Sequence, residues 1–257
     1  MTQADYLKRT VASEAIKTRR SPLIWVSVVA PFAVACLLTM ALTSRGGALI
    51  KGQGGNPWKA FEPALFFWSA LVLPLCVTLQ AALAASIEHT QQQWKHLFAL
   101  AVPRWSIYAA KMAVVLTLSA VSSAVLWVGL LLGGLALSAA FPQITHGPMI
   151  AGELFEVLAK IYLASWLLTA VQVWIAIRWS SFSMPILIGV IGSVASLMFA
   201  ARPEDLGWWR FVNPWCLPGQ VARIGAEHVG ETLVVAIVLS ACVSIVGCIE
   251  STRRDVM

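Results

Sequence analysis

Long apolar stretches separated by short polar segments dominate this chain of 257 residues. A helix needs about 20 predominantly apolar residues to cross roughly 30 Å of membrane hydrocarbon. Six stretches are long enough, and they cover approximately residues 23–43, 64–87, 112–140, 155–177, 182–200 and 232–249. The pattern predicts an all-α, polytopic membrane protein in which residues 23–257 form a single domain of six transmembrane helices.

The first 22 residues are more polar and carry a helical pattern of their own. Leu7, Val11 and Ala15 recur at a spacing of four and share one helical face, whereas the other faces are charged. This arrangement is typical of a helix that lies in the membrane interface, so residues 1–22 are predicted to form an N-terminal interfacial helix. Two roles stay open for it, a structural anchor and a contact with a cytoplasmic subunit.

A second polar segment, residues 88–111, interrupts the apolar pattern between the second and third stretches. Trp94, Leu97 and Phe98 recur at helical spacing, while Gln92 and Lys95 fall on other faces. The pattern predicts a short amphipathic helix at the membrane surface, where a protein partner can reach it.

Composition and charge agree with a membrane protein and give it an orientation. Hydrophobic residues make up 59% of the chain and charged residues only 12%, against about 25% charged residues in ordinary soluble proteins. Lys and Arg are more numerous in residues 1–22, 88–111 and 250–257 taken together than in the loops 45–63 and 201–231. Both termini and segment 88–111 are therefore predicted to be cytoplasmic, with the two loops outside. The net charge of +6 favours membrane lipids, not nucleic acid, as the charged partner.

Small residues spaced four apart lie inside several of the predicted spans. Gly129 and Gly133 form such a pair in the third span, and Gly189 and Ser193 form one in the fifth. Small side chains let two helices approach closely in lipid, so these pairs predict contact surfaces within a helical bundle.

Ionisable residues are nearly absent from the span interiors. Glu156 and Lys160, at the start of the fourth span, are spaced so that they can pair on one helical face. Proton-coupled or ion-coupled transport usually depends on ionisable side chains inside the bundle. Any transport by this chain is therefore expected to draw its energy from another subunit.

The sequence carries no motif for cofactor chemistry. A G-x-x-x-x-G-K-[ST] motif is missing, so the chain is not predicted to bind ATP by that route. All four histidines lie outside the apolar stretches, which disfavours an intramembrane protease. His89 and His96 lack the spacing of a helical zinc pair, and no metal or other cofactor is expected in this chain.

Two other classes of function stay open. A membrane-embedded enzyme that modifies lipids would draw its polar groups from the loop 201–231, with Arg202, Asp205, Glu227 and His228 as candidates. These residues lack a recognisable spacing of nucleophile and base. A non-catalytic accessory protein in haem or metal handling would instead use the histidines and cysteines.

Two segments resemble the membrane subunits of type-2 ABC exporters, especially the group that includes lantibiotic-immunity permeases. The first is Glu14-x-x-Lys17-x-Arg19-Arg20-Ser21, followed by an apolar stretch with Pro31 near its middle. The second begins at Glu88 and continues through Trp94-Lys95-x-Leu97 and Pro103-Arg104 to Lys111. The chain length, the predicted span number and the cytoplasmic termini also agree with this group.

The resemblance implies a permease subunit of an ATP-driven exporter in the bacterial cytoplasmic (inner) membrane, and not an enzyme. Such permeases pair with a second copy or a related permease and dock onto a P-loop ATP-binding subunit, which binds the ATP and Mg²⁺. The cargo would be hydrophobic or amphipathic, such as a peptide antibiotic, a drug or a lipid-like compound. The coupling helix that meets the ATPase would include Glu88, Gln92, Trp94, Lys95, Leu97 and Pro103, and an N-terminal connecting helix would include Glu14, Lys17 and Arg19.

Overall fold

The chain is built from α-helices joined by short loops. A computed structural model describes residues 3–19, 21–45, 47–90, 103–179, 181–200, 207–209, 211–222 and 228–253. Every regular element in these ranges is helical, which confirms the predicted all-α class. In chain order the α-helices are α1 (Gln3–Arg19), α2 (Leu23–Ser44), α3 (Ala48–Gly52), α4 (Glu62–Phe67), α5 (Leu73–Thr90), α6 (Arg104–Ala140), α7 (Ala151–Ala164), α8 (Trp166–Arg178), α9 (Ser183–Ala200), α10 (Leu217–Val221) and α11 (Val229–Arg253).

Five helical stretches in the described residues are long and apolar enough to cross a membrane. They are Leu23–Ser44, Lys59–Ile87, Trp105–Ala140, Ala151–Arg178 and Val229–Thr252. These stretches confirm five of the six predicted spans by position. The remaining predicted span, 182–200, corresponds to α9, whose apolar part is the shorter stretch Ser183–Met198. A total of six spans therefore stays a prediction.

The third span begins earlier than predicted. Helix α6 starts at Arg104, so residues 104–111 form its first two turns and are not a separate surface segment. Pro103 stands just before the helix, with φ −58° and ψ 128°, and its carbonyl accepts the backbone N–H of Ser106 at 3.0 Å. The last eight residues of the predicted segment 88–111 thus belong to α6.

Two prolines inside the apolar stretches affect the helices differently. Pro31 lies within α2, which continues through it. Pro74 is the second residue of α5 and lies two residues after the end of a π-helical turn, Trp68–Val72. Proline cannot donate a backbone hydrogen bond, and a local widening of the helix is a usual response to such a defect.

Small residues bring α2 and α6 into close contact, as predicted. A methyl group added at Gly129 would lie 2.6 Å from the Cβ of Ala35, which is closer than carbon atoms can approach. A methyl group at Gly133 would likewise overlap the side chain of Thr39. The glycines spaced four apart therefore form the contact surface of α6 on α2.

The predicted ion pair on the fourth span is also confirmed. On α7, Lys160 Nζ lies 2.5 Å from Glu156 Oε1. The Glu156 side chain is 65% exposed and that of Lys160 is 37% exposed, so the pair lies on the outer surface of the bundle.

Candidate functional site

The buried face of α1 is polar, contrary to the face predicted from the apolar residues. Glu14 and Thr18 are 5% and 7% exposed, whereas Ala15 is exposed. Thr10, one turn before Glu14, has its hydroxyl 3.3 Å from that of Ser106 at the start of α6. Helix α1 therefore packs on α6 through a polar face, and its surface is not set by Leu7, Val11 and Ala15 alone.

Glu14 and Lys111 form an ion pair between α1 and α6. Lys111 Nζ lies 3.1 Å from Glu14 Oε2, although the two residues are 97 positions apart in the chain. The Lys111 side chain is only 1% exposed, and that of Glu14 is 6% exposed. On α1 itself, Lys17 Nζ donates to the other carboxylate oxygen, Glu14 Oε1, at 2.6 Å.

Lys111 also binds α5. Its Nζ donates to the backbone carbonyl oxygen of Ala84 at 2.7 Å. Ala84 lies one helical turn before Glu88, close to the end of α5 at Thr90. We call Glu14, Lys17, Lys111 and the Ala84 carbonyl the Glu14 cluster. It joins α1 to the two helices that flank residues 91–102.

Charge compensation within the Glu14 cluster favours the ionised form of its carboxyl group. Burial raises the pKa of Glu14, but the ammonium groups of Lys111 and Lys17 oppose this, and the net pKa lies below its ordinary value of 4.5. Glu14 is therefore ionised at neutral pH and compensates the buried charge of Lys111. A buried ammonium group that loses such a partner is strongly destabilised.

The residues predicted for a partner contact lie around this cluster. Lys17 is paired with Glu14 as described, and Arg19 is exposed at the end of α1. Glu88 is in the last turn of α5, and Pro103 precedes α6. The remaining predicted contact residues lie outside the described part of the chain, and they are Gln92, Trp94, Lys95 and Leu97.

A second set of contacts fixes α8 and α11 at the same end of the bundle. Glu250, near the end of α11, accepts a hydrogen bond from Trp174 Nε1 at 2.8 Å and pairs with Arg178. The ring of Tyr108, on the first turns of α6, packs against Gly247 of α11. The end of the bundle that carries Glu14, Lys111, Arg178 and Glu250 is therefore held together by charged and polar side chains.

Sequence reasoning missed Lys111 as a site residue, although it quoted it in a motif. The residue stands alone at the edge of a long uncharged stretch, and a lysine at such an edge ordinarily extends toward the membrane surface. Its burial depends on a partner that is distant in sequence, so local pattern gives no signal for it.

A buried amide network was also missed. Gln80, on α5, is 0% exposed, and its Nε2 donates to Ser27 Oγ of α2 at 3.0 Å. Its Oε1 accepts from Ser119 Oγ of α6 at 3.1 Å. Polar residues inside a membrane bundle pair with one another, and a lone Gln in an apolar stretch is the sequence signal for such a contact.

The residues of the two alternative functions gather less support. His228 Nδ1 lies 3.2 Å from Glu231 Oε2 at the start of α11, with both side chains more than half exposed. Arg202, Asp205 and Glu227 lie outside the described residues. Within the described ranges, no group of three His, Cys, Asp or Glu side chains is arranged to hold a metal ion.

The Glu14 cluster is suited to joining helices more than to catalysing a reaction. It contains no nucleophile with an adjacent base, and its charges compensate one another. Lys111, near the start of α6, bonds to both α1 and α5 and so links the three helices.

Comparison with known protein families finds a match over most of the chain. Residues 10–196 match the family described as ABC-2 family transporter protein. The matched region covers α1 from Thr10, the Glu14 cluster and most of α9. No curated protein and no solved structure matches the chain.

Proposed function

The chain belongs to the ABC-2 transporter family and is thus a permease subunit of an ABC transporter, and we propose that it exports a hydrophobic or amphipathic compound. A separate P-loop ATP-binding subunit supplies the energy, since this chain contains no P-loop motif. The cargo class includes peptide antibiotics, drugs and lipid-like molecules. The resemblance to lantibiotic-immunity permeases favours a peptide antibiotic among them.

The position of the Glu14 cluster is the observation that best supports this function. An ATPase that docks beside α1 and residues 91–102 meets elements that Lys111 ties to both α5 and α6. ATP binding shifts the bundle only if the two states of the bundle contact the ATPase differently. A rigid junction between the docking surface and two spans links such a change of contact to the bundle, because movement at the surface is passed on to the spans.

The predicted partner residues divide into two roles in this proposal. Glu88, Gln92, Trp94, Lys95, Leu97 and Pro103 form the coupling element, with Pro103 at its end. Lys17 has a 25% exposed side chain and Arg19 is exposed, so both can face an ATPase. Glu14 is buried and acts through Lys111, as a positioning residue.

A second copy of the chain, or a related permease, completes the transporter. The outer side of α2 exposes large apolar side chains, with Trp25 at 71%, Phe32 at 55% and Met40 at 70% exposure. An open apolar groove of about 550 Å³ runs between α2 and α6 and includes Cys36 and Gly129. This surface is suited to another apolar helix in lipid. The termini and the Glu14 cluster face the cytoplasm of a bacterial cell.

Purification of the tagged full chain from its native membrane tests the proposal. We expect a P-loop ATPase to co-purify with it. Glu88→Ala and Trp94→Ala should each reduce export, or the resistance that it confers, about tenfold, the loss that follows when an interface anchor worth about 1.4 kcal/mol is truncated.

Two variants at the opposite end of the bundle are the matched controls. Glu153 lies in the first turn of α7 and Trp208 is 66% exposed, so Glu153→Ala and Trp208→Ala should leave export unchanged. The proposal would be refuted if no P-loop ATPase co-purified and both coupling variants exported as well as the native chain.

A further inference from the structure

An amide side chain without a partner lies inside the bundle, separate from the Glu14 cluster. Gln172, on α8, is 0% exposed, and within the described residues neither its Nε2 nor its Oε1 has a hydrogen-bond partner. Thr78, on α5, is 2% exposed, and its hydroxyl is also unpartnered among those residues. Buried polar groups are nearly always hydrogen-bonded, because leaving them unpaired is costly. These two side chains therefore require an explanation.

The hydroxyl of Thr78 departs from the usual behaviour of threonine in a helix. Thr39 and Thr169 donate to the carbonyl four residues earlier, at 2.8 Å and 3.0 Å. For Thr78 the corresponding acceptor is the carbonyl of Pro74, and the hydroxyl does not use it. The side chain is oriented so that its polar atom faces another helix.

Gln80 shows that this bundle does satisfy a buried amide elsewhere. Gln80 and Gln172 are both 0% exposed. Ser27 and Ser119 supply an acceptor and a donor to Gln80 at 3.0 Å and 3.1 Å. For Gln172 the described residues supply neither. The glutamine on α5 is therefore hydrogen-bonded within the bundle, whereas the glutamine on α8 is not.

The unpartnered atoms meet at one point on α9. A methyl group added at Gly189 would overlap the Thr78 hydroxyl and lie 2.7 Å from Gln172 Nε2. The carbonyl of Gly189 already accepts the Ser193 hydroxyl at 2.6 Å. Helix α9 therefore covers both polar side chains without bonding to them. Movement of α9 away from α5 and α8 would expose them and break no hydrogen bond that they make within the described residues.

We propose that Thr78 and Gln172 form a binding site for an amide group of the exported compound, reached when α9 moves away from α5 and α8. This inference rests on the proposed function and names the chemistry of its cargo.

An amide is the group that complements the free atoms at this site. Oε1 of Gln172 accepts a hydrogen bond from an amide N–H, while its Nε2 and the Thr78 hydroxyl donate to an amide carbonyl. A cargo without a donor leaves Oε1 unpaired in a water-poor interior, where this is most costly. A peptide-like compound with an apolar body therefore fits both the spans and these polar atoms.

Binding of a defined amide probe tests the proposal. The full chain in lipid nanodiscs is titrated with N-octyl pyrenebutanamide, a fluorescent probe with a single amide, and with octyl pyrenebutanoate, the matching ester that lacks the N–H donor. Empty nanodiscs correct for partition into lipid. The native chain should bind the amide probe saturably and about tenfold more tightly than the ester, the effect of one well-placed hydrogen bond.

Three variants that each remove a polar group locate the binding site. Gln172→Leu and Thr78→Val should weaken binding of the amide probe about tenfold, and Gln172→Leu should abolish the preference for amide over ester. Thr169→Val removes a hydroxyl that already donates to the carbonyl of Ser165, so it should leave binding unchanged. Retention of the amide preference in Gln172→Leu, or no saturable binding to the native chain, overturns the proposal.

Thermal stability separates a binding role from a structural one. Gln80→Leu removes a satisfied amide and should lower the unfolding midpoint. Gln172→Leu removes an unsatisfied one and should leave the midpoint unchanged or raise it, since an apolar side chain suits an unpaired buried site better. An equal fall in both variants shows that Gln172 is bonded within the protein, which also overturns the proposal.

The outcome is distinguishable from failure of the transport function itself. If a P-loop ATPase co-purifies but the amide preference is missing, only the binding site is wrong. If the amide preference depends on Gln172 but no ATPase is found, the binding site stands and the exporter assignment fails.

Discussion

Glu14→Gln should destabilise the protein strongly, because it removes the carboxylate that compensates a buried lysine. The Lys111 side chain is 1% exposed, and in this variant it keeps the Ala84 carbonyl at 2.7 Å but loses its anionic partner at 3.1 Å. Removing one partner of a buried ion pair costs about 3–5 kcal/mol. We therefore expect the free energy of unfolding to fall by about 4 kcal/mol, within this range.

Substitution of the other partner, Lys111, should lower the free energy of unfolding by less. In Lys111→Met, Glu14 keeps Lys17 at 2.6 Å, and an apolar side chain of similar length takes the buried volume. The expected loss is about 1–2 kcal/mol, close to that of one charged hydrogen bond. The double variant leaves no uncompensated buried charge and should lose about 2 kcal/mol, less than Glu14→Gln alone. The coupling energy between the two sites is then about 3–4 kcal/mol.

Equilibrium unfolding by a denaturing detergent in mixed micelles, followed by tryptophan fluorescence, measures these differences. Glu156→Gln and Lys160→Met at the exposed pair on α7 are matched controls and should both remain close to the native chain, because exposed ion pairs contribute little. If Glu14→Gln costs less than Lys111→Met, or if the two losses simply add, Lys111 is not held by Glu14 and the account of the cluster is wrong.

Three further predictions concern pH, packing and assembly. The pKa of Glu14 is lower in the folded chain than its ordinary 4.5. Its ionised carboxylate therefore stabilises the fold fully above pH 4.5, and this contribution is lost as the pH falls through the folded pKa. In Glu14→Gln, the free energy of unfolding should depend less on pH in this acid range. Gly189→Ala should lower the unfolding midpoint, at a cost of about 1–3 kcal/mol for overpacking, whereas Gly152→Ala, with open space around it, should leave the midpoint unchanged or raise it. Cys36, in the groove between α2 and α6, and Cys242, on α11, are both exposed. In single-cysteine variants, a short bis-maleimide should join two copies of the chain through Cys36 but not through Cys242. Equal cross-linking at both positions would count against this dimer surface.

Local sequence patterns correctly predicted those features of the fold that depend only on residues close together in the chain. The five confirmed spans were found from apolar length alone, because the cost of leaving water is summed over consecutive residues. The pair of Glu156 and Lys160 was found from its spacing of four, since a helix brings such residues together whatever else it packs against. The contact of Gly129 with α2 was found for a similar reason, because small residues at that spacing always form a smooth helical face.

Predictions failed where a distant partner changes the environment of a residue. The sequence predicts that the third span begins after Lys111, whereas α6 begins at Arg104, and Glu14 of α1 pairs with Lys111 inside the bundle. The orientation of α1 also differs from the prediction, because Glu14 and Thr18 are buried and a polar face of the helix packs against the bundle.

The sequence by itself determined that this protein is a helical membrane protein, since hydropathy is a property of consecutive residues. Only the tertiary structure decided which polar groups are satisfied. Gln80 and Gln172 are the same side chain in similarly apolar helices, yet serines of α2 and α6 meet the first and the described residues leave the second unpaired. Hydrogen bonds and ion pairs act over a few ångströms in space, and separation along the chain does not reveal which residues the fold will bring that close.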